Sequence, residues 1–230
     1  MAVAVVGPIS WFVWRHGGSW PTGLSATLWV AVAASLAVFG LTAALSREGW
    51  RLGVLLYPYL ILLAGLATVW SQAPEQTLRE DAPPTWVTAH IVLSVLTYGV
   101  LTLAAIAGLA VLLRERNMAA KMRGRLSDLL PSIAGAESLQ VRLLVVSEIV
   151  LGLGVVTGIA TQFLETGRVL AIEHKTLLTI GGFVLIGALL FGHYRTGLRG
   201  RRAARIVLVA YLLVTLGYPG VKFVRDVLLG

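Results

Sequence analysis

The sequence predicts an all-α, polytopic integral membrane protein: a bundle of six transmembrane helices with a short apolar N-terminal segment before it. Hydrophobic residues make up 57% of the 230-residue chain and charged residues 13%, a composition too apolar for a soluble domain of this length. Six apolar stretches are each long enough to cross a hydrocarbon core of about 30 Å. The loops between these stretches alternate in charge, as loops on opposite sides of a membrane do.

The N-terminal segment covers residues 1–23. Its first part is apolar but is interrupted by Pro8, and neither a basic stretch nor a small-residue cleavage site accompanies it. We therefore expect a partial or interfacial helix rather than a signal peptide. Residues 24–230 then form one transmembrane domain. Its predicted helices cover roughly 24–46, 51–71, 86–113, 139–163, 174–194 and 204–223.

The charges of the loops predict how the helices are oriented. The loops after the first, third and fifth helices, together with the first residues of the helices that follow them, carry thirteen of the nineteen Lys and Arg residues, whereas 72–85 and 164–173 are more acidic than basic. The positive-inside rule therefore places the loops 47–51, 114–138 and 195–203 in the cytoplasm, and both ends of the six-helix set outside. The net charge of +8 indicates topology and attraction to the anionic lipid of a bilayer. No nucleic-acid partner is expected, because no soluble basic domain carries this charge.

Other local features refine the prediction. The segment 114–137 is polar, with leucines at helical spacing around Pro131, so we expect it to lie along the cytoplasmic interface. Pro58 and Pro219 fall inside predicted helices and should bend them. Glycines recur in the last three helices, which favours close approach of their neighbours.

Several classes of chemistry are disfavoured by what the sequence lacks. The chain has no cysteine, so it forms no disulfide and no thiolate metal site. It contains no Walker motif and no nucleophile elbow, which argues against an ATPase or a hydrolase. We expect a protein that is not an enzyme, with any metal chemistry depending on histidine, methionine, carboxylates or a cofactor.

Three of the four histidines lie in predicted helices. His90 and His174 begin the third and fifth helices at the outer face, and His193 ends the fifth at the inner face. A histidine at membrane depth usually serves a cofactor, a pathway or a proton, although near a helix end it can also reach water as an ordinary interfacial residue. If the third and fifth helices are adjacent, His90 and His174 could meet, and two imidazoles in an apolar pocket suit axial ligation of haem iron. A zinc site is disfavoured, because further ligands of the usual type are missing apart from Glu173.

Aromatic and acidic residues leave alternatives open. Six of the seven tryptophans fall at or near the outer face, where they form either an aromatic belt or a platform for a flat apolar ligand. Tyr57, Tyr59 and Tyr98 serve either packing or hydrogen bonding to a haem propionate. Glu148 lies inside the fourth helix, either as part of a proton or ion path or as a protonated or arginine-paired carboxyl group.

Two stretches resemble the cytochrome c assembly proteins, the CcsA, CcmC and HemX group. The first is AHIVLSVLTYGVLTLAAIAGLAVLL at 89–113, which is similar to a histidine-led helix of that family. The second includes HKTLLT at 174–179 and GHYRTGLRGRRA at 192–203, and it most resembles the YpjD-type inner-membrane proteins. The resemblance covers about residues 22–226. It implies a multi-pass protein of the bacterial inner (cytoplasmic) membrane that handles haem (heme) during cytochrome c assembly.

The resemblance also implies roles for particular residues. Haem-handling members carry an external tryptophan-rich motif flanked by histidines, and His90 matches the first external histidine while His193 matches the histidine late in the following helix. The sequence departs from the family twice: TGRVLAIEHK at 166–175 contains no tryptophan, and the last helix ends in GYPGVKFV without a histidine. The haem platform is therefore absent or rebuilt, and we hypothesise that His174 replaces the missing external partner.

Taken as a sequence, the chain is expected to bind haem and to assist cytochrome c assembly by offering it to a membrane partner. His90 and His174 are the candidate axial ligands, and His193 marks a second haem site or a transit site. One alternative is a haem-free structural or regulatory subunit of another inner-membrane complex, which the missing tryptophans favour. Another is a small-solute or ion transporter that uses Glu148, which would require an internal repeat that the sequence lacks.

Overall fold

The computed structural model describes residues 23–71, 84–120, 128–166 and 174–220. Within these ranges all regular structure is helical. The elements are α1 (Leu24–Leu45), a 3₁₀ turn (Gly49–Leu52), α2 (Gly53–Val69), α3 (Pro84–Ala119), α4 (Ile133–Thr166), α5 (His174–Thr196), α6 (Gly200–Thr215) and a π turn (Leu216–Gly220). A helix is present at each of the six predicted positions, and the last part of the sixth prediction, 221–223, lies outside the described residues. The predicted N-terminal helix lies outside the described residues.

The helices have the length and composition that a membrane requires. Among the described residues, five helices, α1 to α5, are long and apolar enough to cross a bilayer. The sixth, α6, has 16 residues and continues into the π turn. A proline inside a predicted helix was expected to disturb it, and Pro219 falls within this π turn, where the regular ladder of hydrogen bonds is interrupted. The polytopic helical membrane fold is therefore confirmed.

The third and fourth helices are much longer than predicted. The third continues to Ala119 and the fourth already begins at Ile133, although both of these added stretches contain charged or polar residues. A helix satisfies its own backbone hydrogen bonds, so it does not have to stop where the apolar stretch ends. The sequence between 114 and 119 also consists largely of good helix formers. The apolar run therefore identified the span correctly but not the ends of the helix.

The third helix is the centre of the bundle. About 78% of the residues in its most apolar 18-residue stretch are buried, against 17% of those in the corresponding stretch of α5. It packs against α1, α4 and α6, whereas α5 packs against α4 and α6. Close approach to α1 depends on Gly99, where an added Cβ would lie 3.1 Å from the carbonyl oxygen of Ala34. The condition that α3 and α5 are adjacent is therefore not met, because α4 and α6 form the main neighbours of both.

The outer surface of the bundle is apolar along the spans. Large apolar side chains point away from the other helices on α2, α4 and α5, among them Ile61, Leu62, Ile149, Val184 and Phe191. A soluble monomer rarely exposes so continuous an apolar surface. In a bilayer these side chains face lipid, which is as apolar as they are.

The segment before α4 docks into the bundle. Leu130 is fully buried, and its carbonyl oxygen accepts hydrogen bonds from the guanidinium groups of Arg51 (3.4 Å) and Arg114 (3.3 Å). Two arginines thus hold the backbone of Leu130 against the core, while the expectation that 114–137 lies along the interface stays a prediction. Leu129 stays exposed.

The start of α4 is capped by a contact with the first loop. The side chain of Ser132 accepts a hydrogen bond from the Gly135 backbone N–H at 3.1 Å, the geometry of an N-cap. The backbone N–H of Ser132 in turn donates to the Glu48 carboxylate at 3.0 Å. These bonds tie the loop after α1 to the beginning of α4.

Candidate functional site

His90 is the predicted site residue that the structure holds most firmly. Its half-buried ring lies between α3 and α4, with Nδ1 3.0 Å from the carbonyl oxygen of Gly154 and 3.3 Å from the hydroxyl of Thr157. A carbonyl oxygen only accepts, so Nδ1 carries the proton in this contact. The lone pair of the neutral ring is then on Nε2, the atom that a metal would take.

The ring of His90 fits against α4 because residue 158 is glycine. A Cβ at Gly158 would lie 2.9 Å from Cε1 of His90 and 3.4 Å from Nδ1. A real Cβ does not approach a ring atom so closely, so any larger residue at this position would displace the imidazole. Gly158 therefore supplies the flat surface on which His90 lies.

His174 is the first residue of α5 and its side chain is exposed. No hydrogen bond or ring contact joins it to His90 in the described part of the chain. The helix that contacts His90 through Gly154 and Gly158, α4, nevertheless ends at Thr166, shortly before α5 begins at His174. The first turn of α5 is therefore on the same side of the bundle as His90, while the direct meeting of the two imidazoles remains a prediction.

His193 lies at the opposite end of α5, far from the other two. Its Nδ1 donates to the carbonyl oxygen of Leu198 at 3.1 Å, and its ring packs edge-on against Tyr194. The helix ends at Thr196, and the next residue, Gly197, has a φ of +70° and so adopts the left-handed conformation that glycine favours. His193 thus holds the turn between α5 and α6, and its Nε2 faces away from this bond.

A cluster of tyrosines lies deeper in the bundle. The hydroxyl of Tyr98 is 3.0 Å from that of Tyr59 and 3.0 Å from that of Tyr211, and Tyr59 and Tyr211 are also hydrogen-bonded to each other. Thr102 adds a hydroxyl 3.2 Å from Tyr211. Each phenol has one proton to donate, so the three hydroxyls can form a closed ring of hydrogen bonds. We call Tyr59, Tyr98 and Tyr211 the tyrosine cluster.

This cluster connects three helices of the bundle. Tyr59 belongs to α2, Tyr98 to α3 and Tyr211 to α6. Tyr98 is eight residues beyond His90, which is about 12 Å deeper along the helix at 1.5 Å per residue. Tyr57, for which the sequence left packing or hydrogen bonding to a haem propionate open, is not part of the cluster: its ring packs edge-on against Phe39, 5.6 Å away, and the residue is 45% exposed.

Sequence reasoning missed Tyr211. A signal for it existed, because Tyr59, Tyr98 and Tyr211 each lie well inside a different predicted helix. A phenol at that depth needs a hydrogen-bond partner, and tyrosines of other helices at similar depth are the natural candidates. Depth alone did not say which faces of the helices meet.

Glu148 lies where α4 meets α5. Its Oε1 is so close to Gly187 that a Cβ there would be 2.9 Å away. Its Oε2 is buried and has no hydrogen-bond partner among the residues described. The proposed pairing with a cytoplasmic arginine is not seen in the described ion pairs, and the carboxyl group instead faces the backbone of the next helix.

The donor set around His90 suits a haem iron better than a free metal ion. No group of three or more His, Cys, Asp or Glu side chains is arranged to hold a metal within the described ranges. Haem iron needs only one or two protein ligands, and a neutral imidazole with its Nδ1 proton fixed by a carbonyl oxygen is a suitable one. His90 meets this requirement.

Comparison with known proteins identifies the family. The chain matches the family described as "Cytochrome C assembly protein" over residues 22–229.

This chain belongs to the cytochrome c assembly protein family. Because the match covers nearly all of the sequence, the resemblance drawn from the histidine-led helix and from the motif at 192–203 is confirmed. Membership of this family supports a role in cytochrome c maturation. It leaves haem binding by individual residues to be proposed and tested.

Two relatives extend the comparison. An Azospirillum brasilense protein, described as an uncharacterized 28.8 kDa protein in the nifR3-like 5′ region, is 49% identical over 230 residues, which cover 100% of this chain and 85% of that protein. The inner membrane protein YpjD of Escherichia coli strain K12 is 24% identical over 184 residues, which cover 79% of this chain and 67% of that protein. No solved structure matches the chain.

Proposed function

We propose that this cytochrome c assembly family member binds haem at His90 and offers it to a partner in the membrane. The observation that carries the proposal is the contact between His90 Nδ1 and the Gly154 carbonyl oxygen at 3.0 Å. It fixes the orientation of the ring and leaves Nε2 available. Histidines that bind metals in proteins commonly have their other nitrogen held in this way.

His174 is the proposed second axial ligand. It is exposed at the start of α5, on the side of the bundle where His90 lies. A haem placed between α3 and the first turn of α5 would accept one imidazole on each face, so the two rings do not need to touch in its absence. The ammonium group of Lys175 would be close to the propionates, whose negative charge it can balance.

His193 is proposed to bind haem at a second site. It lies at the other end of α5 and, like His90, has its Nδ1 bound to a backbone carbonyl oxygen. The two histidines would then serve haem at opposite faces of the membrane. In both places the residues of this chain would hold and orient the haem, which itself supplies the iron, and no turnover of a substrate by the protein is proposed.

The proposed location is the bacterial inner membrane. The support comes from the helices that can span a bilayer and from the similarity to an Escherichia coli inner membrane protein. Under the positive-inside rule His90 and His174 would face outward, and the loops 47–51, 114–138 and 195–203 would be cytoplasmic. A haem bound at His90 would then be accessible to a partner on the outer side.

Titration with haemin tests the proposed ligands one at a time. The detergent-purified protein and the variants His90→Ala, His174→Ala and His193→Ala are titrated, with His16→Ala as a control of the same residue type. We expect His90→Ala to lower the affinity most, by about tenfold or more, and His174→Ala to convert a six-coordinate into a five-coordinate spectrum. His16→Ala should leave both unchanged.

The same titration distinguishes the alternatives. Equal spectra and affinities for all four variants would overturn His90 as a ligand. A wild-type protein that binds no haemin would instead support the haem-free subunit of another membrane complex.

A further inference from the structure

A basic cleft opens where α5 ends and α6 begins. The cavity measures about 590 Å³ and is lined by Thr196, Gly197, Leu198, Arg199, Arg201 and Arg202. It lies within the motif at 192–203 that the sequence analysis singled out, at the end of α5 away from His174. Three guanidinium groups around one cavity indicate a negatively charged ligand.

The backbone of this cleft is built to a defined shape. Gly197 and Gly200 have φ values of +70° and +62°, a conformation that other residues rarely adopt. The bond from His193 to the Leu198 carbonyl oxygen holds one side. On the other side, the backbone N–H of Gly200 donates to the Glu137 carboxylate at 2.7 Å. The arginines therefore project from a fixed turn.

The positive charge of the cleft is only partly balanced by the protein. Arg201 is 3.7 Å from the Glu115 carboxylate and its side chain is 56% exposed. Neither Arg199 nor Arg202 makes a hydrogen bond or an ion pair within the described ranges. At the start of α6 the Glu137 carboxylate accepts from the Gly200 backbone N–H, and the first turn itself has no acidic residue. Arg199 and Arg202 therefore remain as exposed positive groups that an anion can bind.

The neighbouring surface indicates where this anion comes from. Phe191 and Tyr194 are exposed on the last turns of α5, next to the cleft. Arg195 lies over the ring of Phe191, with 5.9 Å from its guanidinium carbon to the ring centroid. Apolar rings on the lipid-facing side of a basic cleft fit a molecule with a charged head and apolar chains.

We propose that the cleft formed by Arg199, Arg201 and Arg202 binds the phosphate headgroup of an anionic phospholipid, with the acyl chains along Phe191 and Tyr194. The site is separate from His90 and does not depend on haem. Binding a lipid here would neutralise the start of α6 and hold the turn after His193 at the membrane surface.

Native mass spectrometry of the detergent-purified protein tests the site. The probes are phosphatidylglycerol and phosphatidylcholine with identical acyl chains, and inorganic phosphate. The test variant is Arg199→Gln/Arg202→Gln, since neither exposed side chain makes a hydrogen bond or an ion pair with another described residue. The matched control is Arg47→Gln/Arg116→Gln, which removes the same charge from exposed arginines outside the cleft. Circular dichroism confirms that both variants are folded.

We expect one phosphatidylglycerol to bind in preference to phosphatidylcholine. The Arg199→Gln/Arg202→Gln variant should bind it about tenfold more weakly, while the control variant should bind as the wild type does. An equal loss in both variants would show a general effect of charge and overturn the site. Displacement of the lipid by low concentrations of inorganic phosphate would show a free anion as the ligand and overturn the assignment to lipid.

Discussion

The Nδ1 atom of His90 donates to the carbonyl oxygen of Gly154, 3.0 Å away, and so joins α3 to α4 near the start of α3. The contact does two things at once. It satisfies a polar group that would otherwise be costly at membrane depth, and it leaves Nε2 of the ring as the atom that can bind. His90 can therefore stabilise the contact between the two helices through Nδ1 and still act as a ligand through Nε2.

Gly158→Ala should displace His90. The added Cβ would lie 2.9 Å from Cε1 of the ring, so the imidazole must move off α4. We expect the affinity for haemin to fall by about tenfold, as for other changes to groups that support a metal ligand. Absorption titration measures this change.

The control for this variant lies on the same helix. A Cβ at Gly154 would be no closer than 3.9 Å to its nearest neighbour, Leu93, and the carbonyl group that binds His90 would be kept. Gly154→Ala should therefore bind haemin as the wild type does. Equal behaviour of the two alanine variants would contradict the role given to Gly158.

Tyr211→Phe should destabilise the protein. It removes one hydroxyl from the tyrosine cluster and leaves those of Tyr59 and Tyr98 with fewer partners in an apolar environment. The expected loss is about 1–3 kcal/mol, visible as a lower unfolding temperature in detergent. Tyr57→Phe is the control, because its half-exposed ring lies outside the cluster, and it should unfold as the wild type does.

Substitution by alanine should lower the stability of the protein at Ser132 but not at Ser35. Ser132→Ala removes the N-cap of α4 and should cost about 1 kcal/mol of stability. Ser35 is fully buried, and its hydroxyl has no hydrogen-bond partner among the described residues. Ser35→Ala should therefore be neutral or slightly stabilising, since it removes an unsatisfied polar group. Thermal unfolding of both variants in one detergent checks the contrast, and a larger loss for Ser35→Ala would contradict it.

The orientation in the membrane can be tested with single cysteines. The chain contains none of its own, so a maleimide can label this protein only at the introduced cysteine. The positive-inside rule predicts that Thr77→Cys is labelled in intact spheroplasts, while Ala120→Cys is labelled only after the membrane is permeabilised. The reverse pattern would place His90 on the cytoplasmic side.

The sequence predicted the helices better than it predicted their contacts. Spans were recognisable because a bilayer requires about 20 apolar residues, and the position of His90 near the start of α3 followed from that. The contact of His90 with Gly154 could not be predicted in this way, because the rotation of one helix against another depends on packing along the whole length of both helices. Tyr211 was missed for the same reason.

Other contacts were not predictable for a similar reason. The adjacency of α3 and α5, on which a meeting of His90 and His174 was made to depend, is not seen, because α4 and α6 are the main neighbours of both helices; the pairing of the two histidines stays a prediction. The burial of Leu130 was not foreseen either, since two arginines from other parts of the chain hold its backbone against the core. Both are long-range contacts, which a local pattern of charge and apolarity does not encode.

The absorption spectrum of the protein purified from haem-replete cells tests the central claim most directly. Wild type and His90→Ala are each recorded in the oxidised state and then after reduction. We predict a Soret band and sharp reduced α and β bands for the wild type, as expected of haem with two histidine ligands, and a loss of most bound haem in His90→Ala. A wild-type spectrum without a Soret band, or the same haem content in both proteins, would contradict haem binding at His90.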